Sequence, residues 1–150
     1  MTENTAEFEY KEVQAQEKPK KKSALEALLG TSTDIQKPVY MKRLETDFVI
    51  KALTGEKINE LREQCTYTRP GKGGKMEKHE NTDELGQLIV AEACIEPDFS
   101  NPELMNHYRA ESPGDCTQKA LLFGEIAMLS SKIMDLSGFE DDPIEEVKNG

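Results

Sequence analysis

Leu122-Phe123-Gly124-Glu125-Ile126-Ala127-Met128-Leu129-Ser130-Ser131-Lys132-Ile133-Met134-Asp135-Leu136 is the stretch on which the fold turns. Leu122, Ile126, Leu129, Ile133 and Leu136 recur at spacings of four, three, four and three. Side chains at those intervals share one side of a helix and make a seven-residue seam suited to packing along another helix. Leu121 and Phe123 widen it beyond a narrow coiled-coil stripe. In a chain of 150 residues such a seam serves first as the domain's own core and second as a partner or self-association surface. The pattern predicts one helix over about Asp115 to Ser137, with Gly138 as its C-terminal cap and Phe139 folding back on its end.

Upstream, the same logic yields further helices. Asn101-Pro102-Glu103 is a cap followed by proline at the first helical position, and Leu104 and Tyr108 then share a face. Ser112-Pro113-Gly114-Asp115 breaks the chain again. Asn81-Thr82-Asp83 starts a helix whose Leu85, Leu88, Ile89 and Ala93 point one way, ended by Glu96-Pro97 because a residue before proline avoids the helical region. Thr54 caps another, with Glu56 near its positive end and a stripe of Ile58, Leu61 and Cys65. Gly71 to Lys78, between these two, reads as a loop. Val39 to Leu44 and Phe48 to Leu53 are rich in residues that suit a half-buried pleated surface. They read as two short strands with Glu45-Thr46-Asp47 as the turn, a hairpin that needs a helix to cover it. The expected class is mainly α (α+β): a small β-hairpin followed by about four helices, with disordered ends.

Residues 1–22 carry five Glu, five Lys and few large apolar side chains, too little to offset the entropy of ordering. They are expected to form a disordered tail. Its run Lys18-Pro19-Lys20-Lys21-Lys22 is a solvated segment or a contact for nucleic acid or an acidic partner. Residues 23–38 hold a short helix and a linker. Ser23 is a good cap, Glu26 sits three positions on, and Gly30 stops it. Leu25, Leu28 and Leu29 share one face, and two turns of helix are marginal alone in water, so this face must dock on its own domain or on a partner. Residues 39–139 form a single folded α+β domain, and residues 140–150, with five acids and one Lys, an acidic disordered tail.

The formal net charge of −10 opposes non-specific binding to phosphate backbones. No apolar run approaches the ~20 residues of a membrane helix, and Met1 to Tyr10 lack the pattern of a secretion signal. The expectation is a cytosolic chain with no membrane and no nucleic-acid partner. Cys65, Cys94 and Cys116 have no C-x-x-C spacing and read as packed thiols. His79 and His107 lack ligand partners at metal spacing, and Glu103 with His107 reads as a surface ion pair. Arg69-Pro70-Gly71-Lys72-Gly73-Gly74-Lys75 invites a phosphate-loop reading. The glycine spacing is wrong, Met76 follows the lysine, and the loop follows a helix. Arg69, Lys72, Lys75 and Lys78 against Glu77 instead make a basic patch suited to ordering on a partner. No catalytic constellation assembles, so the chain is expected to be non-enzymatic, without cofactor or metal. The residues expected to bind a partner are Leu25, Leu28 and Leu29, then Arg69, Lys72 and Lys75.

Three stretches resemble the XkdN-like family of phage tail-assembly chaperones. They are Val39 to Leu44 through Phe48 to Gly55, running into Ile58-Asn59-Glu60-Leu61-Arg62; Glu96-Pro97-Asp98-Phe99 with Asn101 to Met105; and Leu122 to Ile126 through Leu136 to Phe139. The resemblance covers about two-thirds of the chain, and none of its stretches is a catalytic signature. It implies a non-catalytic protein that binds the phage tape measure protein during tail assembly, with the tail tube protein as a possible second partner. It implies action in the host bacterial cytoplasm, absence from finished virions and, in many such phages, a longer frameshifted product. The alternatives are a structural tail or baseplate component that stays in the virion, and a nucleic-acid-binding regulator using Lys18 to Lys22 and the Arg69 to Lys78 loop. Oligomeric state is left open.

Overall fold

A computed structural model describes residues 23–139, so the tails expected at 1–22 and 140–150 lie outside the described residues. The chain divides into two units, Met1–Ser32 and Thr33–Gly150. In the first unit, α1 (Ala24–Leu29) forms as its caps dictate: the Ser23 hydroxyl accepts from the Glu26 N–H at 3.1 Å, and the Gly30 N–H closes on the Glu26 carbonyl at 3.0 Å. None of its residues is buried.

The second unit is α+β. β1 (Gln36–Met41) and β2 (Thr46–Lys51) form the expected antiparallel hairpin, with Val39 opposite Phe48. Its turn falls earlier than Glu45-Thr46-Asp47. Residues 42–45 make it, the Leu44 N–H bonds the Met41 carbonyl at 3.1 Å, and Glu45 takes a left-handed conformation at φ 53°. Ending the turn at Glu45 puts Phe48 and Ile50 on the buried face, beside Val39 and Met41. Pro38 is tolerated because β1 is an edge strand. A third strand, β5 (Cys94–Glu96), adds to β2 with a bulge, giving the order β1-β2-β5.

The helix α2 (Gly55–Gln64) is capped by Thr54 as expected and buries Ile58 and Leu61. The stretch 71–78, expected to be a loop, is instead the tip and second strand of another hairpin, β3 (Thr66–Pro70) with β4 (Met76–Glu80). The helix α3 (Thr82–Ala93) then runs through the middle of the unit and packs against α2 and two later helices. Its Ile89, Val90 and Ala93 are buried. Asn101 caps α4 (Pro102–Tyr108), accepting from the Glu103 N–H at 2.9 Å.

The predicted helix from Asp115 to Ser137 is two helices, α5 (Pro113–Ala120) and α6 (Phe123–Met134), so five helices follow the hairpin rather than about four. Leu121 and Leu122 are extended between them, both at ψ 153°. The break turns Leu121 into the core and leaves Leu122 and Phe123 outside it. Ile126, Leu129 and Ile133 of the seam are buried, as expected of a core helix. After Met134 one wide π-type turn, Asp135–Phe139, ends the helix at Gly138 with φ 101°, and Phe139 stays exposed.

Two long-range contacts hold this arrangement. Arg43, in the β1–β2 turn, donates to both carboxylate oxygens of Glu125 at 2.9 and 2.8 Å and reaches the Ala120 carbonyl at 3.4 Å. Glu125 also accepts from the Leu122 N–H at 2.8 Å, so it satisfies the start of α6 while pinning the helix break to the hairpin. At the other end, the Ser137 hydroxyl accepts from the Leu53 N–H at 2.8 Å and donates to the Ile133 carbonyl at 2.7 Å.

The Arg43 hydrogen bonds hold the Glu125 carboxyl below the ordinary glutamate value. A depressed carboxylate contributes stability that is present above its unfolded pKa, about 4.3, and is lost as pH falls through the folded value. Glu125→Gln is therefore expected to lower the melting temperature at pH 7 and to reduce its fall on acidification below about pH 4.5. Melts of both proteins across that range check this.

Candidate functional site

The leucine face of α1 is the first surface. Leu25, Leu28 and Leu29 are 66%, 74% and 77% exposed. Three neighbouring leucines in water on a six-residue helix gain nothing for the unit that carries them.

The second surface is an arm. All five residues of β3 are exposed, and of β4 only His79 is partly covered. A two-stranded hairpin with both faces in solvent is marginal by itself. Its base is closed by the Asn81 N–H on the Cys65 carbonyl at 2.9 Å and by Arg62 near Glu80 at 3.6 Å. Tyr67 stacks on His79 across the strands, with ring centroids 5.8 Å apart, and His79 Nε2 lies 3.3 Å from a Glu77 oxygen. At the tip, Gly73 and Gly74 both take φ 74°, a region side chains avoid, and the Gly71 N–H bonds the Lys75 carbonyl at 2.7 Å. Arg69 lies opposite Glu77, and Lys72 and Lys75 flank the turn, all exposed. The expected basic residues thus gather on one projecting tip, and Tyr67 and Met76 add exposed apolar area that the charge pattern hid. The phosphate-loop reading fails geometrically as well, since this segment joins two strands.

A third surface has no counterpart in the sequence reading. A groove of about 680 Å³ runs beside α3, between it and the α5–α6 break. Leu88, Leu121, Phe123 and Ile126 line it, with Asp83, Glu84 and Asp115 among its polar residues. Phe123 also borders a smaller depression against Gly86 and Ala127. It is 75% exposed at the first turn of α6, and Leu122 beside it is 57% exposed. The missing signal was the helix break: inside one continuous helix these two residues read as part of the seam.

Among the described residues no group of His, Cys, Asp and Glu could hold a metal ion. Burial pushes the thiols of Cys65, Cys94 and Cys116 up, Cys94 to about 12, which suppresses the reactive thiolate. Glu103 and His107 form no ion pair among the described residues, and His107 instead sits edge-on to Tyr108 at 4.7 Å. No helix among the described residues is long and apolar enough to cross a membrane.

A family model described as "Phage XkdN-like tail assembly chaperone protein, TAC" matches residues 25–149. The chain is 32% identical over 96 residues to the phage-like element PBSX protein XkdN of Bacillus subtilis (strain 168), covering 63% of this chain and 65% of that protein. It is 31% identical over 96 residues to the uncharacterized protein YqbN of the same strain, covering 63% of this chain and 64% of that one. The matched segment thus spans just under two thirds of each relative's own length. The crystal structure of YqbN superposes with a TM-score of 0.59 at 20% identity, over 79% of this chain and 98% of that one, which establishes a shared fold.

Proposed function

The chain belongs to the phage XkdN-like tail assembly chaperone family, and from that premise we propose that it holds the tape measure protein during tail assembly, without catalysis, in the host bacterial cytoplasm. The observation that carries this reading is the leucine face of α1: three exposed leucines on a helix that buries nothing. A protein that shields apolar helices needs such a surface, and a chain of net charge −10 keeps the pair dispersed. Helix-on-helix docking through i, i+3, i+4 leucines supplies affinity. The Arg69, Lys72 and Lys75 tip steers an acidic stretch of the partner, and its contribution falls with salt. The tail tube protein is a second candidate partner, contacted when the first is handed on.

Co-expression with the tape measure protein tests this. The wild-type chain is expected to co-purify with it. Leu25→Ser, Leu28→Ser and Leu29→Ser together are expected to weaken binding at least tenfold while the far-ultraviolet circular dichroism of the domain is kept. Arg69, Lys72 and Lys75 changed to Ser are expected to cost less and to flatten the salt dependence. Mass spectrometry of purified particles should not find the protein. Its presence there would make it a built-in tail component and end the chaperone reading.

A further inference from the structure

The α3–α5–α6 groove and the leucine face of α1 are complementary in chemistry. The groove is apolar where Leu88, Leu121, Phe123 and Ile126 line it, and it carries the carboxylates of Asp83 and Glu84. The third carboxylate, Asp115, is engaged by Lys119 at 3.0 Å. The leucine helix presents three apolar side chains and is preceded in the sequence by Lys20-Lys21-Lys22. An apolar stripe with a basic leader fits a mixed groove in which Phe123 and Leu88 offer apolar area beside acidic groups. We infer from this complementarity a contact between copies: the leucine helix and its basic leader, residues 20–29 in the sequence of one copy, dock in the α3–α5–α6 groove of a second copy.

Such a contact joins two different surfaces, so it is heterologous, and each copy keeps one free helix and one free groove. Association can therefore propagate beyond two copies. Phe123 is the most exposed apolar residue of the groove side, on a helix that is otherwise anchored by its buried seam. The contact goes beyond binding of a tail protein and does not depend on it. It gives the leucine face an occupant while no tail protein is present, and a tail protein competing for that face would dissolve the assembly.

Sedimentation velocity on the full chain, with no phage partner present, tests this. The wild type is expected to self-associate, about tenfold more weakly when salt is raised well above physiological strength. The triple leucine-to-serine variant and Phe123→Ser are each expected to be monomeric. Mixed in equal amounts they are expected to form a heterodimer, because the serine-helix variant retains its groove and Phe123→Ser retains its leucines. Asp83→Lys, a change at an exposed residue, is expected to weaken association and remove most of its salt dependence. A wild type that stays monomeric at all concentrations overturns the inference. So does a Phe123→Ser chain that still associates, or a mixture that stays monomeric.

Discussion

Phe99→Ala is expected to destabilise the second unit by about 3–5 kcal/mol, the range for removing a large aromatic from a packed core. Phe99 is 1% exposed and meets Phe48 edge-on, with ring centroids 6.3 Å apart at 66°. Edge-to-face pairing adds to plain burial. The backbone around it gives little room to collapse into the cavity. Asp98 accepts from the Ser100 N–H at 2.9 Å and from its hydroxyl at 2.6 Å, and the Asn101 N–H bonds the Asp98 carbonyl at 3.0 Å. A domain of this size has roughly 5–15 kcal/mol of total stability, so this one change removes a large share of it. Urea unfolding should show a lower midpoint at an unchanged slope. A loss below about 1 kcal/mol would mean that the ring is not packed in the core against Phe48.

The importance of Phe99 illustrates which parts of the fold were legible in the sequence. Elements with period and caps could be read. Thr54, Asn81 and Asn101 each accept the helical N–H that their position predicts, and Ile126, Leu129 and Ile133 are buried as their spacing requires. Phe99 sits in a connecting stretch with no repeat around it, so no periodicity marks it as core. The β3–β4 arm carries no sequence signal for a related reason. Strands that bury nothing show no alternation of apolar and polar residues, and three glycines among lysines read as loop. β5 is three residues long and follows directly on α3, too short for any pattern. The break at Leu121 and Leu122 was invisible because a seven-residue seam continues in register across it. Arg43, which ties the break to the hairpin, lies 82 positions away from its partner Glu125. The candidate site divides the same way. The leucine face and the basic tip could be listed from composition, whereas the groove exists only because α3, α5 and α6 come together.

The two roles of α6 separate in a pair of substitutions. Leu129→Ala is expected to cost about 2–5 kcal/mol, because Leu129 is fully buried and its loss leaves a cavity beside α3. Phe123→Ala, six residues earlier on the same helix, is expected to shift stability by no more than about 0.5 kcal/mol, since three quarters of that ring is already in water. Hydrophobicity alone would rank the phenylalanine as the costlier loss. Burial reverses the order, and the reversal is the measurable consequence of the chain turning at Leu121 and Leu122. Thermal and urea unfolding of the two variants check it directly. If Phe123→Ala proves as damaging as Leu129→Ala, then Phe123 is packed in the folded state, α5 and α6 run on as one helix, and the groove between them and α3 does not exist. If the order is as expected, a large aromatic is held in solvent at the edge of the helix face that Ile126, Leu129 and Ile133 lock in the core. Folding then gains little from Phe123, and the ring stays available for the contact proposed at the groove.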